Sequence, residues 1–150
     1  MGKGALADDN PLILGMTGFW GTKFINEKCK GADWILGLGT RFSEADCSSW
    51  EEEYTFNFGP TQLIHIDIDP SEIGRNYPVA IGAVADLKSA RTALLRVAKK
   101  LCPAGVKRPE LIKEMAANRQ SFVASNKEWM ESNDFPMAPQ RILADLRTAL

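Results

Sequence analysis

The stretch from Leu63 to Pro70 constrains the fold of this chain more than any other segment. Its isoleucines fall on one face of an extended strand, whereas His65, Asp67 and Asp69 fall on the opposite face. Pro70 ends the strand, because proline has no N–H group to donate to a neighbouring strand. A β-branched strand that ends in carboxylates is typical of a parallel α/β sheet, which binds its ligands at the carboxyl ends of its strands.

Two polar residues near the predicted strand ends each have two interpretations. Asp69 can accept hydrogen bonds from ribose hydroxyl groups, or it can merely cap the turn that follows it. Arg41 can bind a phosphate or stack on a flat ring, or it can form a surface salt bridge. The residues alone leave these alternatives open.

Two more strands of the same sheet are predicted near residues 33–39 and 80–85. The first is apolar on both faces, which fits a strand buried between layers of helices. Residues 11–16 form another short apolar run of strand type. Because the strands alternate with amphipathic segments, the pattern favours an α/β core of parallel strands at residues 33–39, 63–68 and 80–85.

Three helices are predicted after residue 86. Asp86 caps the first, a second runs from about Pro109 to Met130, and the third has Pro139 in its first turn. An earlier short helix begins after Thr22 and is stopped by Gly31. The apolar positions are Leu87, Ala90, Leu94, Val97, Ala98 and Leu101 on the first helix, Leu111, Met115, Phe122 and Trp129 as the buried stripe of the second, and Ile142, Leu143 and Leu146 on the third.

Residues 45–60 are predicted to form a long loop. Its acidic run, Glu51–Glu53, is most simply a solvated surface. Aromatic side chains flank this run, and they either pack beneath the loop or contact a partner. They are Trp50, Tyr54, Phe56 and Phe58.

The composition excludes several classes of function. With 150 residues and a net charge of -1, the chain has the size of one domain and nothing that favours nucleic acid or an anionic membrane as a partner. No apolar run is long enough to span a bilayer, and the N-terminal residues lack the core of a signal peptide. Three distant cysteines and a single histidine form no metal site and no nucleophile–base pair. We therefore expect a cytoplasmic protein with reduced thiols, no bound metal ion and a structural role for His65.

Three motifs, in the expected order, resemble the central domain of thiamine-diphosphate-dependent enzymes. They are Leu14–Gly18, Gly31–Phe42 and His65–Gly74, and the acetolactate synthase (acetohydroxyacid synthase) branch is the most similar. The resemblance covers residues 1 to about 100, after which the chain resembles a linker helix and the opening of a diphosphate-binding domain. It implies a truncated central domain at 1–102, a linker at 103–138 and the start of the C-terminal domain at 139–150.

The resemblance implies a partial Rossmann-like parallel sheet, of the DHS-like NAD/FAD-binding type, followed by C-terminal helices. In acetolactate synthases this domain binds FAD in a structural role, some relatives bind ADP, and others bind neither. The family also uses thiamine diphosphate and Mg²⁺, which the residues of this chain are not expected to hold. No catalytic residue is implied, and the implied cofactor-binding residues are Leu14, Gly15, Met16, Thr17, Gly39, Thr40, Arg41, Asp67, Ile68, Ala85 and Asp86.

The chain departs from the family pattern in several ways. Thr17 stands where His or another residue is common, and Ala85 stands where Gly is common, so that its methyl group could crowd an adenine. The chain is expected to begin inside the central domain, without a glycine-rich phosphate-contacting turn and without the N-terminal domain that carries a catalytic glutamate. It also contains no Gly-Asp-Gly, the segment with which the family holds metal and diphosphate.

These observations predict a fragment or truncated relative of an acetolactate-synthase-like enzyme, not catalytic alone, that binds FAD weakly or not at all. The alternative is a stand-alone nucleotide-binding or regulatory module, and an independent hydrolase or transferase is disfavoured. The parent reaction can also be that of a glyoxylate carboligase, a sulfoacetaldehyde acetyltransferase or a 2-oxo acid decarboxylase. The open edge of strand 33–39 predicts a homodimer or larger homo-oligomer, unless Leu12–Leu14 folds back onto it. The other predicted partners are the remaining domains of the enzyme.

Overall fold

Residue 2 and residues 4–150 are described by a computed structural model. They form two compact units, which divide between Lys107 and Arg108. The predicted domain boundaries after residues 102 and 138 stay predictions. No helix among the described residues is long and apolar enough to cross a membrane.

The first unit contains a sheet of three parallel strands. They are β1 (Trp34–Leu38), β2 (Gln62–Asp67) and β3 (Ile81–Val84), in the order β1-β2-β3. Leu36 lies beside Ile64, and Ile64 lies beside Ile81, so the three strands are in register across the sheet. The predicted α/β fold with parallel strands and C-terminal helices is confirmed, and each strand lies within two residues of its predicted bounds.

The core of the first unit forms where the segment after β1 folds back against β2. Four buried side chains make up its centre: Phe42, Cys47, Phe56 and Leu63. The Phe42 ring packs edge-on against the rings of Phe56 and His65, with centroid distances of 5.7 and 5.2 Å. A Cβ atom on Gly37 would lie 2.9 Å from the Phe42 ring, so β1 carries a glycine where this ring crosses it.

Residues 45–60 contain more structure than the predicted loop. Ala45–Trp50 form a short 3₁₀ segment, in which Ser48 and Ser49 adopt left-handed φ angles of 52° and 57°. The Trp50 indole N–H donates to the Phe42 carbonyl oxygen at 2.7 Å, whereas Tyr54 is exposed. The aromatic residues therefore pack beneath the segment at Phe56 and, in part, at Phe58, but not at Tyr54.

Two predictions about strands are wrong. β1 is not buried on both faces, because Trp34, Leu36 and Leu38 share a face that is about half exposed among the described residues. The apolar run at residues 11–16 forms no strand, and Leu12–Leu14 does not pair with β1. Asn10 instead accepts hydrogen bonds from the backbone N–H groups of Leu12 and Ile13, which turn the chain there.

The predicted caps of two helices in the first unit are confirmed. The Thr22 hydroxyl accepts from the Ile25 N–H at the start of α1 (Lys23–Lys30), which ends at Gly31. Asp86 accepts from the Ser89 N–H at the start of α2 (Leu87–Leu101). The apolar side of α2 is not buried, however, since none of its residues is buried in the described chain.

The second unit contains helices only, and the predicted helix at 109–130 is broken. It consists of α3 (Pro109–Ser125) and α4 (Lys127–Glu131), separated at Asn126, and is followed by α5 (Pro139–Ala149). Four helices therefore follow residue 86 instead of three. Of the predicted buried stripe, Met115 is buried and Leu111 is half-buried, but Phe122 and Trp129 are exposed. On α5, Leu143 and Leu146 are exposed.

Candidate functional site

The carboxyl ends of the three strands meet at one edge of the sheet. The Asp67 carbonyl at the end of β2 accepts from the Ala85 N–H at 2.9 Å, and the Ile66 carbonyl accepts from the Gly39 N–H at 2.8 Å. A Cβ atom on Gly39 would lie 2.7 Å from a methyl group of Leu87, so the end of β1 also touches the start of α2. The structure thus brings together three of the four predicted segments: 39–41, 67–68 and 85–86.

The turn after β1 is held by side chains from β2 and from the segment before β3. The His65 ring N–H at Nε2 donates to the Thr40 carbonyl at 2.8 Å. The Asn76 amide donates to the carbonyls of both Arg41 and Phe42 at 3.0 Å. Gly39 has a φ of 59°, a left-handed conformation that suits glycine, and lies exposed at the strand end. These contacts fix the backbone of residues 39–42 at the edge where a ligand of such a sheet binds.

The three aspartates of the site already accept backbone hydrogen bonds. Asp67 is buried, and its Oδ1 accepts from the Asp69 N–H at 2.9 Å. Asp69 Oδ1 accepts from the hydroxyl and, with a smaller effect, from the backbone N–H of Ser71, and both hydrogen bonds lower the pKa of Asp69 below its usual value. Hydrogen bonds from Ser89 likewise lower the pKa of Asp86, and the bond from the Ser89 backbone N–H has the largest effect. The hydrogen bonds from Ser71 therefore confirm the capping interpretation of Asp69.

The Arg41 side chain extends into solvent at this edge. Its Nε lies 3.8 Å from Glu72 Oε1, which is a long ion pair with no hydrogen bond. The Arg75 Nη1 donates to the same oxygen at 3.0 Å. Arg41 thus combines a surface salt bridge with a guanidinium that is open to a ligand, and neither of its two interpretations excludes the other.

The fourth predicted segment, Leu14–Thr17, is held by a different set of contacts. The Thr17 hydroxyl donates to the Asp46 carbonyl at 2.9 Å. Gly18 follows it with a φ of 69° and lies so close to the carbonyl of Ala45 that no side chain would fit. The Asn26 amide group accepts from the Gly18 N–H and donates to the Gly18 carbonyl, both at 3.0 Å. Residues 14–17 are therefore tied to α1 and to the 3₁₀ segment, and no hydrogen bond of the described residues joins them to residues 39–41.

Sequence reasoning missed Glu72, Arg75 and Asn76 at this edge. Each follows the strand terminator Pro70 in a polar turn, where no periodic pattern marks a buried side chain. Glu72 is buried all the same, and Asn76 holds the backbone on which Arg41 stands. The single signal in the sequence was their spacing: a carboxylate followed three residues later by an arginine forms an ion pair within one turn.

The described residues show no ligand set for a metal ion, since no three His, Cys, Asp or Glu side chains are placed to share one. A shallow hollow of about 490 Å³ lies beside α1. It is lined in part by Phe19, Lys23 and Tyr54, and none of the implied cofactor-binding residues lines it.

The chain matches the family model described as "Thiamine pyrophosphate enzyme, central domain" over residues 1–94. It is 31% identical to a probable acetolactate synthase large subunit of Methanococcus aeolicus, over 100% of this chain and 25% of that protein. It is 36% identical to the corresponding protein of Methanocaldococcus jannaschii, over 100% of this chain and 24% of that protein. It is 32% identical to glyoxylate carboligase of Escherichia coli O157:H7, over 99% of this chain and 24% of that protein.

The chain spans about a quarter of the length of these curated relatives. The matched residues contain all three strands, α1 and the four segments of the site. The parallel sheet and the matched family model agree with one another. This chain belongs to the family of thiamine pyrophosphate enzyme central domains.

Proposed function

We propose that this chain supplies the structural, nucleotide-binding part of the central domain of an acetolactate-synthase-like enzyme and is not catalytic by itself. The observation that supports this most is the convergence of residues 39–41, 67–68 and 85–86 at the carboxyl edge of one parallel sheet. That edge is where open α/β sheets bind nucleotides. The parent activity is the joining of 2-oxo acid units, with a glyoxylate carboligase as the alternative parent that the similarity to such an enzyme supports.

The residues of the site fit the ribose and phosphate parts of FAD or ADP. Gly39 has no side chain to keep a ligand from the backbone of the turn. Asp86 uses one oxygen as a helix cap, and its second oxygen can accept from a hydroxyl group. Arg41 offers an exposed cation. These groups bind and orient a nucleotide, and none of them transfers a proton to or from a reacting atom.

The residues do not fit thiamine diphosphate or Mg²⁺. No set of metal-ligating side chains is found among the described residues, and the sequence has no Gly-Asp-Gly segment. Thiamine diphosphate supplies the carbanion chemistry of the family when it is bound, and we assign no step of that chemistry to this chain.

We expect weak binding of FAD or ADP by the chain alone. The carboxylates of Asp67 and Asp69 are already engaged, and the hollow beside α1 is not lined by the residues of this edge. A shallow site gives few contacts to offset the ordering of a flexible ligand. Isothermal titration calorimetry with FAD and with ADP tests this. Purified protein that is yellow with stoichiometric flavin would contradict it.

Catalysis is tested separately. We expect no acetolactate from pyruvate when thiamine diphosphate, Mg²⁺ and FAD are supplied, and likewise no condensation of glyoxylate. The control is heat-treated protein under the same conditions. Turnover above this control that persists through a second purification would show that the chain is catalytic.

A stand-alone nucleotide-binding module is the second candidate function. It is favoured by one observation: the three converging segments all lie within a single compact unit, which also contains α2. Tight binding of ADP by the purified chain, without any other domain, would favour this candidate over the first.

A further inference from the structure

The segment between Pro70 and Asn76 contains a buried carboxylate that the proposed nucleotide site does not explain. The Glu72 side chain is only 8% exposed. Its Oε1 receives the Arg75 hydrogen bond at 3.0 Å, while its Oε2 is enclosed and has no partner among the described residues. Burying a carboxylate with an unpaired oxygen is costly, so such a group needs a reason to be retained.

The other oxygen, Oε1, attracts the cations of two neighbouring turns, which is a reason to retain the carboxylate although Oε2 stays unpaired. Two guanidinium groups stand over the same oxygen: Arg41, whose side chain is 79% exposed, and Arg75, whose side chain is 60% exposed. Neither guanidinium donates a hydrogen bond to any other side chain in the part of the chain that the structure describes. The carboxylate is therefore enclosed while both guanidiniums face solvent, and a ligand that approaches this surface meets N–H donors.

We propose that Arg41 and Arg75 form a two-arginine binding site for a phosphate-bearing anion, in which Glu72 is the positioning residue. Paired guanidiniums bind phosphate oxygens through several directed hydrogen bonds. Glu72 joins a residue of the turn after β1 to one of the turn before β3, so that the two cations converge although they lie far apart in sequence. The Asn76 bonds to the carbonyls of Arg41 and Phe42 hold the backbone of the same two turns together.

The local charge makes this site different from a basic patch. Arg41 and Arg75 also lie near enough to Asp69 to lower its pKa slightly. The two guanidiniums are thus balanced by the carboxylates of Glu72 and Asp69. Affinity at this site depends on the placement of N–H donors more than on net charge, and because both guanidiniums are mostly exposed it is expected to fall as salt is added.

The experiment uses the whole chain, with inorganic pyrophosphate as the probe and the arginine Nε–Hε NMR resonances as the readout. We expect the resonances of Arg41 and Arg75 to shift along one common saturation curve, while that of Arg147 on α5 does not move. Arg41→Lys and Arg75→Lys preserve the positive charge but lose the planar guanidinium group with its several N–H donors. Each substitution is therefore expected to weaken binding about fivefold. Arg147→Lys is the matched control. Equal shifts at Arg147, or unchanged affinity in both variants, would overturn the site.

Glu72→Gln separates positioning from charge. Removing a negative charge should tighten the binding of an anion if only electrostatics matters. The positioning role predicts the reverse: binding weaker by a factor of about three or more, because the glutamine no longer attracts both guanidiniums. Tighter binding would overturn the role of Glu72. If this variant does not fold, the lysine variants decide the proposal, since both arginine side chains are mostly exposed.

The proposal deepens the proposed function and rests on it for the identity of the anion as part of a nucleotide. Titrations with ADP and with adenosine separate the two-arginine site from the proposed nucleotide site. If ADP shifts the amide signals of Gly39 and Ala85 but not those of the two arginines, the two-arginine site is wrong and the nucleotide site stands. If pyrophosphate shifts the arginines but neither ADP nor FAD binds, the two-arginine site stands and the nucleotide function fails.

Discussion

β1 and β2 are neighbours in one sheet, yet β2 buries polar side chains while the apolar side chains of β1 are largely exposed. β2 is paired on both sides, and its buried residues include His65 and Asp67 beside Leu63. β1 is paired on one side only among the described strands, and its apolar Trp34, Leu36 and Leu38 are partly exposed. The more polar strand is therefore the better buried one.

This difference shows that position in the sheet, more than hydrophobicity, decides what is buried here. The polar groups of β2 are buried because each finds a partner: His65 donates to Thr40, and Asp67 accepts from the Asp69 N–H. The apolar groups of β1 remain exposed because no described element of the first unit packs on that face. Four experiments test this difference between the two strands.

The first compares two leucines in adjacent strands. Leu63→Ala on β2 is expected to lower the free energy of unfolding by about 2–5 kcal/mol, because it leaves a cavity in a close-packed core. Leu36→Ala on β1 is the matched control, expected to cost about 1 kcal/mol or less because its side chain is half exposed. Urea denaturation measures both. Equal losses would mean that the face of β1 is covered in solution.

The second tests a buried polar contact. His65→Leu is expected to cost about 1–3 kcal/mol, because the Thr40 carbonyl loses its donor. His65→Gln, which retains an N–H donor, should recover part of that loss. Thermal denaturation of the two variants makes the measurement. Wild-type stability in His65→Leu would show that the hydrogen bond does not hold the turn after β1.

The third uses pH. Burial, the largest effect, raises the pKa of the Cys47 thiol to about 11, despite an opposing hydrogen bond with Tyr77. The unfolded chain loses this proton first, so stability is constant at neutral pH and falls as pH rises from about 8.5 towards 11. Burial also raises the pKa of Tyr77, which acts in the same direction.

The measurement for this third test is the free energy of unfolding at pH 8 and at pH 10.5. Between them, wild type should lose about 1–2 kcal/mol more than Cys47→Ala does. The control is Cys102→Ala, since Cys102 is exposed. A Cys47→Ala variant with the same pH dependence as wild type would show that the thiol titrates normally.

The fourth tests the open edge of β1. We expect a homodimer or larger homo-oligomer, because an unpaired apolar strand edge pairs with another chain unless it is covered. Leu36→Lys should weaken dimerisation about tenfold or more, since it places a charge on that surface. Leu143→Lys, at an exposed leucine of α5, is the control. Sedimentation velocity at micromolar concentration gives the masses, and a monomeric wild type would remove the oligomer hypothesis.

The sequence predicted those structural features that depend on a local pattern of residues. The alternation of residues 63–68 and the caps at Thr22 and Asp86 identified β2 and two helix starts, because these features depend on a few neighbouring residues. The exposure of β1 could not be predicted in this way, because burial of a strand face depends on elements far away in the chain. The break at Asn126 was missed because the spacing of apolar residues continues across it.

The residues of the candidate site also differ in whether the sequence predicted them. Gly39, Asp67 and Ala85 were implied as cofactor-binding residues by the family resemblance, and they lie together in the structure because parallel strands end at one edge of a sheet. Leu14–Thr17 was expected beside them by resemblance, and its described hydrogen bonds run elsewhere. The burial of Glu72 and the contacts of Asn76 could not be found from the sequence, because a polar residue in a turn gives no sign of whether it is buried or what it contacts.

The interlocked turns around Gly18 have a consequence for local opening. The Thr17 hydroxyl bond to Asp46 and the tight approach of Gly18 to Ala45 join residues 17–21 to the 3₁₀ segment. Asn26 fixes the same turn to α1 through two hydrogen bonds. Neither turn can open without breaking contacts of the other, so their amide protons should exchange with solvent as one cooperative unit. The backbone of Leu14–Thr17 would then become accessible only in concert with residues 45–50, which couples one edge of the implied cofactor site to a segment that is distant in sequence.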